Sequence, residues 1–342
     1  MAGKKKNASP VTMRTIADKL GVSVTTVSRS LDSGYKTSPD VVAKVRAMAD
    51  SLGYVRNLEG LKLRTGKTLV MMALLGTTPE EEVGDSGSVG LLNGIHQRFA
   101  ETEYSVRTIP VSIDTDGLEH VKEVVRGRNA DGLILDHTTP QDSRIKYLQD
   151  SRFPFVTFGR SESLPEHPYF DIDNEYAAWQ GATSLIRSGY RKLAFLDADP
   201  EFVFVRQRMR GYERAMQEAG LALNPALVQH IPLQADLARD AARILFRKGA
   251  DSFVCVNEMV FLGARAGVRL EQSDLLDKTG FSVRTGTHLA EYIGTPVHAS
   301  YYSRMSSGWH LADTLLKCVE GAVVKQCQQI VRTELRLHGV ND

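Results

Sequence analysis

The stretch TMRTIADKLGVSVTTVSRSL, residues 12–31, decides the fold of the N-terminal part of the chain. Its apolar residues recur at helical spacing on both sides of Gly21, which predicts two short helices joined by a tight turn. Thr12 and Ser23 are suitable N-terminal caps, and Gly21 can adopt the positive φ that ends the first helix. Because Ala17 is small, the two helices can approach closely. The stretch therefore predicts a helix-turn-helix.

A third helix is predicted over Ser38 to Leu52. Ser38 is the expected cap, Pro39 suits the first turn, and Gly53 ends the helix. Its apolar stripe would complete a small core: Val41, Val42, Val45, Met48, Ala49 and Leu52. The fold class expected for residues 11–57 is therefore a small all-α DNA-binding domain.

In a helix-turn-helix, the second helix enters the major groove with its N-terminal residues nearest the base edges. The residues expected to face bases are Val24, Thr25, Ser28 and Arg29, and those suited to phosphates are Thr12, Ser23, Thr26 and Ser38. Arg29 could bind a guanine or a phosphate. The alternative for each residue is a helix cap or a solvated polar side chain.

Charge is distributed unevenly along the 342 residues. Residues 1–67 hold 13 Lys or Arg against 5 Asp or Glu, a net charge of +8, and the remaining residues carry a net −7. A cationic block suits a phosphate backbone, because neutralising phosphates releases counterions. The alternative is a solvated basic tail, and residues 1–10 are expected to be disordered.

Composition excludes several other classes of protein. No stretch approaches the roughly 18 apolar residues that a membrane span needs, and the start of the chain does not suit a secretory signal. We therefore expect a cytoplasmic protein with no membrane role. The three cysteines, Cys255, Cys318 and Cys327, form no CxxC pair, so neither a metal site nor a cofactor is expected.

The run VTMRTIADKLGVSVTTVSRSLDSGYKTSPDVVAKVRAMADSLGYVRN, residues 11–57, closely resembles the lactose and galactose repressor (LacI/GalR) family. The resemblance implies a hinge helix or linker at 58–67. Asn57, just before it, and Leu63, within it, are expected to contact DNA, with Leu63 wedged into the minor groove. This chain has Arg56 where the family usually has proline. It has Gly60 and Leu61 where the family usually has Ala-Arg. The alternative is a plain linker.

From residue 68 to 342, short apolar runs alternate with helical stretches, which predicts an α/β body. Examples are LVMMALL, GLIL, KLAFLD and SFVCV. Two similar series indicate two lobes. The resemblance implies a two-lobed, periplasmic-binding-protein-like (type 1) domain with three crossovers, an effector in the cleft, and dimerisation through the same domain.

The resemblance also suggests effector contacts. Arg208 and Asn257 match positions that hold effector in the family, and His137, Phe158 and Tyr302 are weaker candidates. Gly159 and Arg160, and then Ser282, stand where sugar-responsive members often have carboxylates. Their loss points to a larger, charged or otherwise different effector, a sugar or sugar derivative or else a non-sugar metabolite, with Arg160 as an added cation. The alternatives are surface ion pairs and a turn residue.

The same resemblance implies a homodimer, or a tetramer, on pseudo-palindromic double-stranded operator DNA, because paired half-sites require two recognition helices. Residues 77–90, TTPEEEVGDSGSVG, are polar and predict a surface loop, and a helix is expected after it. In the family, the corresponding helix lies where the two protomers pack. Along one side it carries Leu91, Leu92, Ile95 and Phe99. The function expected is a transcriptional regulator, most simply a repressor, of carbohydrate genes. The rivals are a solute-binding protein, which would lack residues 1–67, and an enzyme, for which no catalytic motif occurs.

Overall fold

The computed structural model describes residues 11–31, 36–55, 66–77, 86–113, 115–164 and 166–339, with the backbone alone at 86–88. The chain forms two compact units, Met1–Lys67 and Thr68–Asp342. The predicted hinge contacts Asn57 and Leu63, and the basic N-terminus at 1–10, lie outside the described residues. Within those residues, no helix is both long and apolar enough to cross a bilayer.

A small apolar core holds the first unit together. Its helices are α1 (Met13–Leu20), α2 (Val24–Leu31) and α3 (Pro39–Ser51). Each contributes a fully buried aliphatic side chain, Ile16, Val27 and Val45 respectively. Burying such a side chain stabilises the fold by about 1.5–3 kcal/mol. Ala17 and Ala49 are also buried and leave room for close helix contacts. The predicted helix-turn-helix is confirmed.

Hydrogen bonds at the helix ends set the turns of this unit. Thr12 forms a capping box with Thr15, in which each hydroxyl accepts the other residue's backbone N–H at 3.3 and 3.2 Å. Gly21 ends α1 with φ +67°, and the Ser23 hydroxyl accepts the N–H of Thr26 at 3.0 Å. Ser38 occupies the cap position of α3 without a side-chain hydrogen bond, so its predicted capping role is wrong. The fixed φ of the following proline suits the helix start instead.

The second unit contains two six-stranded sheets. The strands of the first are β1 (Val70–Thr77), β2 (Ser105–Ser112), β3 (Gly132–Leu135), β4 (Phe155–Phe158), β5 (Tyr169–Ile172) and β11 (Gln328–Val331). Those of the second are β6 (Leu193–Asp197), β7 (Val228–His230), β8 (Ser252–Cys255), β9 (Gly280–Thr285), β10 (Val297–Tyr301) and β12 (Glu334–His338). The orders are β11-β5-β4-β3-β1-β2 and β12-β10-β9-β8-β6-β7. All pairs are parallel except β10 with β12.

Helices cover the sheets, as parallel strands require. On the first lobe they are α4 (Ser86–Phe99), α5 (Leu118–Arg126), α6 (Ser143–Asp150) and α11 (Arg304–Val319). On the second they are α7 (Asn174–Arg187), α8 (Val203–Glu218), α9 (Ala235–Arg247) and α10 (Glu258–Glu271). This architecture confirms the predicted α/β two-lobed fold class.

The chain passes between the lobes three times: after β5, after β10 and after β11. The first and third passages touch, because the Asp173 N–H donates to the Val331 carbonyl at 2.8 Å. Thr333 in the third passage hydrogen-bonds Gln180 of α7 at 2.9 Å. Since only these connectors join the lobes covalently, they are suited to act as hinges.

The apolar side of α4 faces the core of its own lobe. Leu91, Ile95 and Phe99 are buried there, and Leu92 is half-buried against the same core. Leu91, Ile95 and Phe99 are therefore not available to a partner, whereas Leu92 keeps part of its surface exposed. The opposite side of α4 is exposed at Val89, which a second protomer could contact.

Candidate functional site

The exposed start of α2 is the candidate DNA-contacting surface. Val24 is 42% exposed although it is apolar, Thr25 and Arg29 are exposed, and Ser28 is half-buried. An apolar side chain left in water at the first position of a recognition helix suits contact with a thymine methyl group. The four predicted base-facing residues are thus all accessible.

The residues predicted to face phosphates have local partners as well. The Thr12 hydroxyl belongs to the capping box, and Ser23 and Thr26 share a hydroxyl contact of 2.9 Å. Ser38 is exposed, and its side chain caps no helix. For Thr12 and Ser23 the capping alternative is therefore realised. Capping does not prevent contact with phosphate, since a hydroxyl both donates and accepts.

A cavity of about 1170 Å³ lies between the two sheets of the second unit. Its wall is built at the carboxyl ends of parallel strands, where ligands gather in open α/β sheets. From the first lobe come His137 after β3 and Asp171 in β5. From the second come Asn257 after β8, Arg284 in β9 and, at the crossover, Tyr302. The cleft thus draws on strands of both lobes.

Five of the seven predicted effector residues line this cleft: His137, Phe158, Arg208, Asn257 and Tyr302. The other two do not. The Arg160 guanidinium lies 3.5 Å from Asp171, as an ion-pair partner behind the wall. Ser282 is buried against α7, where a Cβ on Gly181 would come within 3.0 Å of its hydroxyl. Arg160 as an added cation of the cleft is therefore incorrect.

Arg208 reaches the cleft from α8 as half of a buried ion pair. Its Nε and Nη2 donate to the two Asp197 carboxylate oxygens at 2.8 and 2.5 Å, and the side chains are 5% and 0% exposed. The guanidinium also lies over the Phe204 ring, 4.8 Å from its centroid. Because this pairing occupies the Nε edge, the Nη1 end is the part that a ligand could bind.

Aromatic rings form one side of the cleft. His137 lies edge-on to Phe202 and Phe204, with centroids 5.6 and 5.9 Å away, and those two rings stack at 5.2 Å. The His137 Nδ1 lies 3.1 Å from the Asp136 carboxylate. Although burial alone would raise the pKa of Asp136, His137 and the Gly76 N–H hold it below its usual value. This wall offers an apolar surface with a charge beneath it.

Asp171 and Asn174 supply buried oxygen atoms without a hydrogen-bond partner, although Asp171 Oδ2 also lies 3.5 Å from Arg160. The Oδ2 of Asp171 and the Oδ1 of Asn174 are buried and accept no hydrogen bond from the described residues. Burial raises the pKa of Asp171 to about 7, against the opposing charges of Arg160 and Arg284. Buried polar atoms are normally hydrogen-bonded, so these two are positioned to meet a ligand or water.

Two more arginines approach from the second lobe and from α11. Arg284 lies over the Tyr302 ring at 4.6 Å, and Arg304 lies 3.5 Å from the Glu258 carboxylate. Glu258 also accepts hydrogen bonds from Thr285 and Gly286 at 2.7 and 3.0 Å. Burial would raise the pKa of Glu258, but Arg304 and these donors hold it low. Glu258 is thus committed to the protein.

Asn257 caps α10, and its side-chain carbonyl accepts the Val260 N–H at 2.9 Å. Its NH₂ group is therefore the part of the side chain that is suited to donate to a ligand. Sequence reasoning missed Asp136, Asp171 and Arg284 as cleft residues. Each stands at or next to the carboxyl end of a β-strand, and that position was the available signal.

Two family models match the chain. "Bacterial regulatory proteins, lacI family" covers residues 12–57, and "Periplasmic binding proteins and sugar binding domain of LacI family" covers residues 79–277. The transcriptional regulator AglR of Rhizobium meliloti is 29% identical over 262 residues, which are 75% of this chain and 72% of AglR.

Solved structures share the fold. A transcriptional regulator CelR–cellobiose complex has a TM-score of 0.70 at 21% identity. The match covers 96% of this chain and 99% of the CelR chain. The lac repressor dimer bound to operator and the anti-inducer ONPF has a TM-score of 0.78 at 18% identity. The match covers 96% of this chain and 98% of the lac repressor chain. At these identities the likeness establishes the fold alone.

Proposed function

Because the chain belongs to the LacI family and is a DNA-binding transcriptional regulator, we propose that its cleft binds a sugar-like effector that controls the grip of residues 11–57 on operator DNA. The observation that carries the proposal is the cleft wall. Asp171 and Arg284, one from each lobe, line one cavity, and each holds a buried polar atom without a hydrogen-bond partner. A ligand that satisfied both would favour one arrangement of the lobes.

The proposed mechanism is closure about the crossovers. The effector draws the lobes together and thereby repositions the second protomer of a homodimer, whose paired recognition helices bind a pseudo-palindromic operator. Effector control requires only that affinity differ between the DNA-competent and incompetent arrangements. The protein acts in the cytoplasm, where operator DNA lies, as a repressor of carbohydrate genes.

On the DNA side, we propose that Val24, Thr25 and Arg29 contact bases, with the Thr12, Ser23, Thr26, Ser28 and Ser38 hydroxyls on or near phosphates. The segment at 58–67, with Asn57 and Leu63, would follow them along the DNA as the hinge. These assignments rest on the exposure of α2 and on the family pattern.

The test is operator binding by the full-length protein, with an operator selected from random duplex DNA. Arg29→Ala should weaken binding to the selected operator by about 1–3 kcal/mol, because it removes a direct contact with a base. The matched control, Arg46→Ala, removes the same charge from the exposed side of α3 and should weaken all sequences alike. If Arg29→Ala left specificity unchanged, the assignment of α2 as the recognition helix would be wrong.

The rival function, an enzyme acting on the bound metabolite, makes a different prediction. We propose that the body binds without turnover. A ligand identified by thermal shift should be recovered chemically unchanged after prolonged incubation with stoichiometric protein. Any time-dependent product would favour the enzyme.

A further inference from the structure

The arginines around the cleft differ in how fully their charges are paired. Arg144 binds the Asp142 carboxylate at 2.9 and 2.6 Å, Arg208 is paired with Asp197, and Arg304 lies 3.5 Å from Glu258. Arg284 has no carboxylate within 4.0 Å among the described residues and donates no hydrogen bond to any of them. Among the described arginines that line the cleft, Arg284 is therefore the one without an ion-pair partner within 4.0 Å, and Glu258 and Asp171 act on its charge only from farther away.

The surroundings of Arg284 make this cation costly in the ligand-free protein. Its Nε is buried without a partner, and the Tyr302 ring covers one face of the guanidinium. Burial lowers the pKa of Arg284, and the charges of Arg208 and Arg304 lower it further, whereas Tyr302 and Glu258 act in the opposite direction. Arginine nevertheless stays protonated in proteins, so the charge persists. Because Arg284 is half-buried and lacks an ion-pair partner, an anion that paired with it would stabilise the protein.

The opposite wall offers acceptors and a proton. Asp171 is 2% exposed, its Oδ2 lies 3.5 Å from Arg160 without forming a hydrogen bond, and the charges of Arg160 and Arg284 both act on its carboxyl. With a pKa of about 7, the carboxyl is partly protonated in neutral solution and does not fully cancel the arginine charge. Asn174 adds an unpartnered buried carbonyl oxygen beside it. Asp171 and Asn174 can thus accept hydrogen bonds from the hydroxyl groups of a ligand, and Arg284 can bind an anionic group of the same ligand.

We infer that the effector is a polyhydroxylated metabolite with one anionic group, a carboxylate or a phosphate, which Arg284 binds while Asp171 and Asn174 hold its hydroxyls. The inference rests on the proposed function of the cleft as the effector site. A neutral sugar would leave the Arg284 charge buried and unpaired. The guanidinium fork matches the planar oxygens of a carboxylate or two oxygens of a phosphate.

Matched pairs of probes test this inference on the full-length protein. D-Galacturonate and D-galactose differ in a carboxylate, as do D-gluconate and D-glucitol, whereas D-glucose 6-phosphate and D-glucose differ in a phosphate. Acetate and inorganic phosphate, compared with chloride at equal ionic strength, probe the anion site alone. Thermal shift detects binding, because a ligand specific to the folded state raises its melting temperature. Calorimetry then gives the affinity of each hit.

The variants are Arg284→Gln, which keeps polar atoms and removes the charge, and Arg265→Gln as the matched control. Arg265 also stacks on rings, 5.9 Å from Phe261 and 5.7 Å from Phe281, and burial lowers its pKa as well, but it does not line the cleft. Anionic probes should stabilise the wild type and Arg265→Gln. Arg284→Gln should bind them about tenfold to a hundredfold more weakly, the loss expected for a hydrogen bond to a charged group.

The carboxylate and phosphate arms identify which anion the site prefers. A neutral probe that binds as tightly as its anionic partner would overturn the inference, and so would equal responses in all three proteins, including no response to any probe. Binding to the selected operator is measured in parallel. If the operator is bound while the anion test fails, the proposed regulator stands and only the effector class is wrong.

Discussion

Removing the carboxylate of Asp197 should strand a buried charge and destabilise the second unit. Arg208 is 5% exposed and donates twice to Asp197, which is fully buried. Asp197→Ala leaves that guanidinium without its counter-ion in a site that water barely reaches. Breaking a buried ion pair from one side costs about 3–5 kcal/mol. Since domains are stable by only about 5–15 kcal/mol, the loss should be unmistakable in urea unfolding followed by circular dichroism.

Two companion variants make the result specific. Asp150→Ala breaks an exposed pair with Lys146, whose side chains are 66% and 68% exposed, and should cost under about 1 kcal/mol. The double variant Asp197→Ala with Arg208→Met removes the stranded charge and should recover most of the loss. The reasoning is refuted if Asp197→Ala costs no more than Asp150→Ala, or if the double variant is no more stable than Asp197→Ala.

Three further predictions concern packing, pH and capping. Gly308→Ala would place a Cβ 1.9 Å from the Leu91 carbonyl oxygen, so α4 and α11 must separate. Differential scanning calorimetry should show that the free energy of unfolding falls by about 1–3 kcal/mol. An unchanged melting temperature would contradict the close contact. Burial lowers the pKa of His298 to about 4, so the unfolded chain binds its proton more tightly between pH 6.5 and 4, and the wild type should lose about 3 kcal/mol relative to His298→Asn as pH falls through that window. A constant difference between the two proteins over that window would refute the buried neutral state. Ser23→Ala removes the cap of α2 and should destabilise residues 11–57 by about 1 kcal/mol in chemical denaturation, whereas Thr25→Ala, which caps nothing, should not.

Asp171 should shift the pH dependence in the opposite direction. Its folded pKa of about 7 exceeds the unfolded value near 3.8, so its contribution is full below pH 3.8 and is lost as pH rises to 7. Its neighbours in this titration are Arg160, Arg284 and Asp173. Asp171→Asn should therefore gain stability over the wild type between pH 5 and 8, by a few kcal/mol. A gain that did not grow with pH would contradict the raised pKa.

The DNA-binding unit could be predicted from sequence because its determinants are local. Gly21 needs a positive φ, and Ala17 is small where the helices approach each other. Ser23 caps α2 by accepting the N–H of Thr26, three residues further along the chain. Such relationships span a few residues and depend little on the rest of the chain. In α11, by contrast, Gly308 is needed where α4 packs closest, and the reason for that glycine lies in a residue more than 200 positions away.

The cleft could be predicted only in outline, because it depends on where strands end in three dimensions. Ser282 and Arg284 lie on the same strand, two residues apart. Ser282 lies beneath α7, whereas Arg284 stands at the carboxyl end and lines the cavity. Likewise, Arg160 was expected in the cleft but lies behind Asp171. Which arginine lacks a counter-ion depends on ion pairs between residues of different helices and strands. The spacing of those residues along the chain does not show these pairs.

The central claim is that a ligand in the cleft changes how tightly the helix-turn-helix unit binds DNA. The most direct measurement is the anisotropy of labelled selected operator, titrated with full-length protein, with and without the probe that binds best. Allosteric coupling of about 1–3 kcal/mol should change the operator Kd by roughly 5- to 150-fold in the wild type. The double variant Asp197→Ala with Arg208→Met, which leaves no buried charge without its partner, should abolish that change and leave ligand-free operator binding intact. An operator Kd that the bound ligand does not change would contradict the claim.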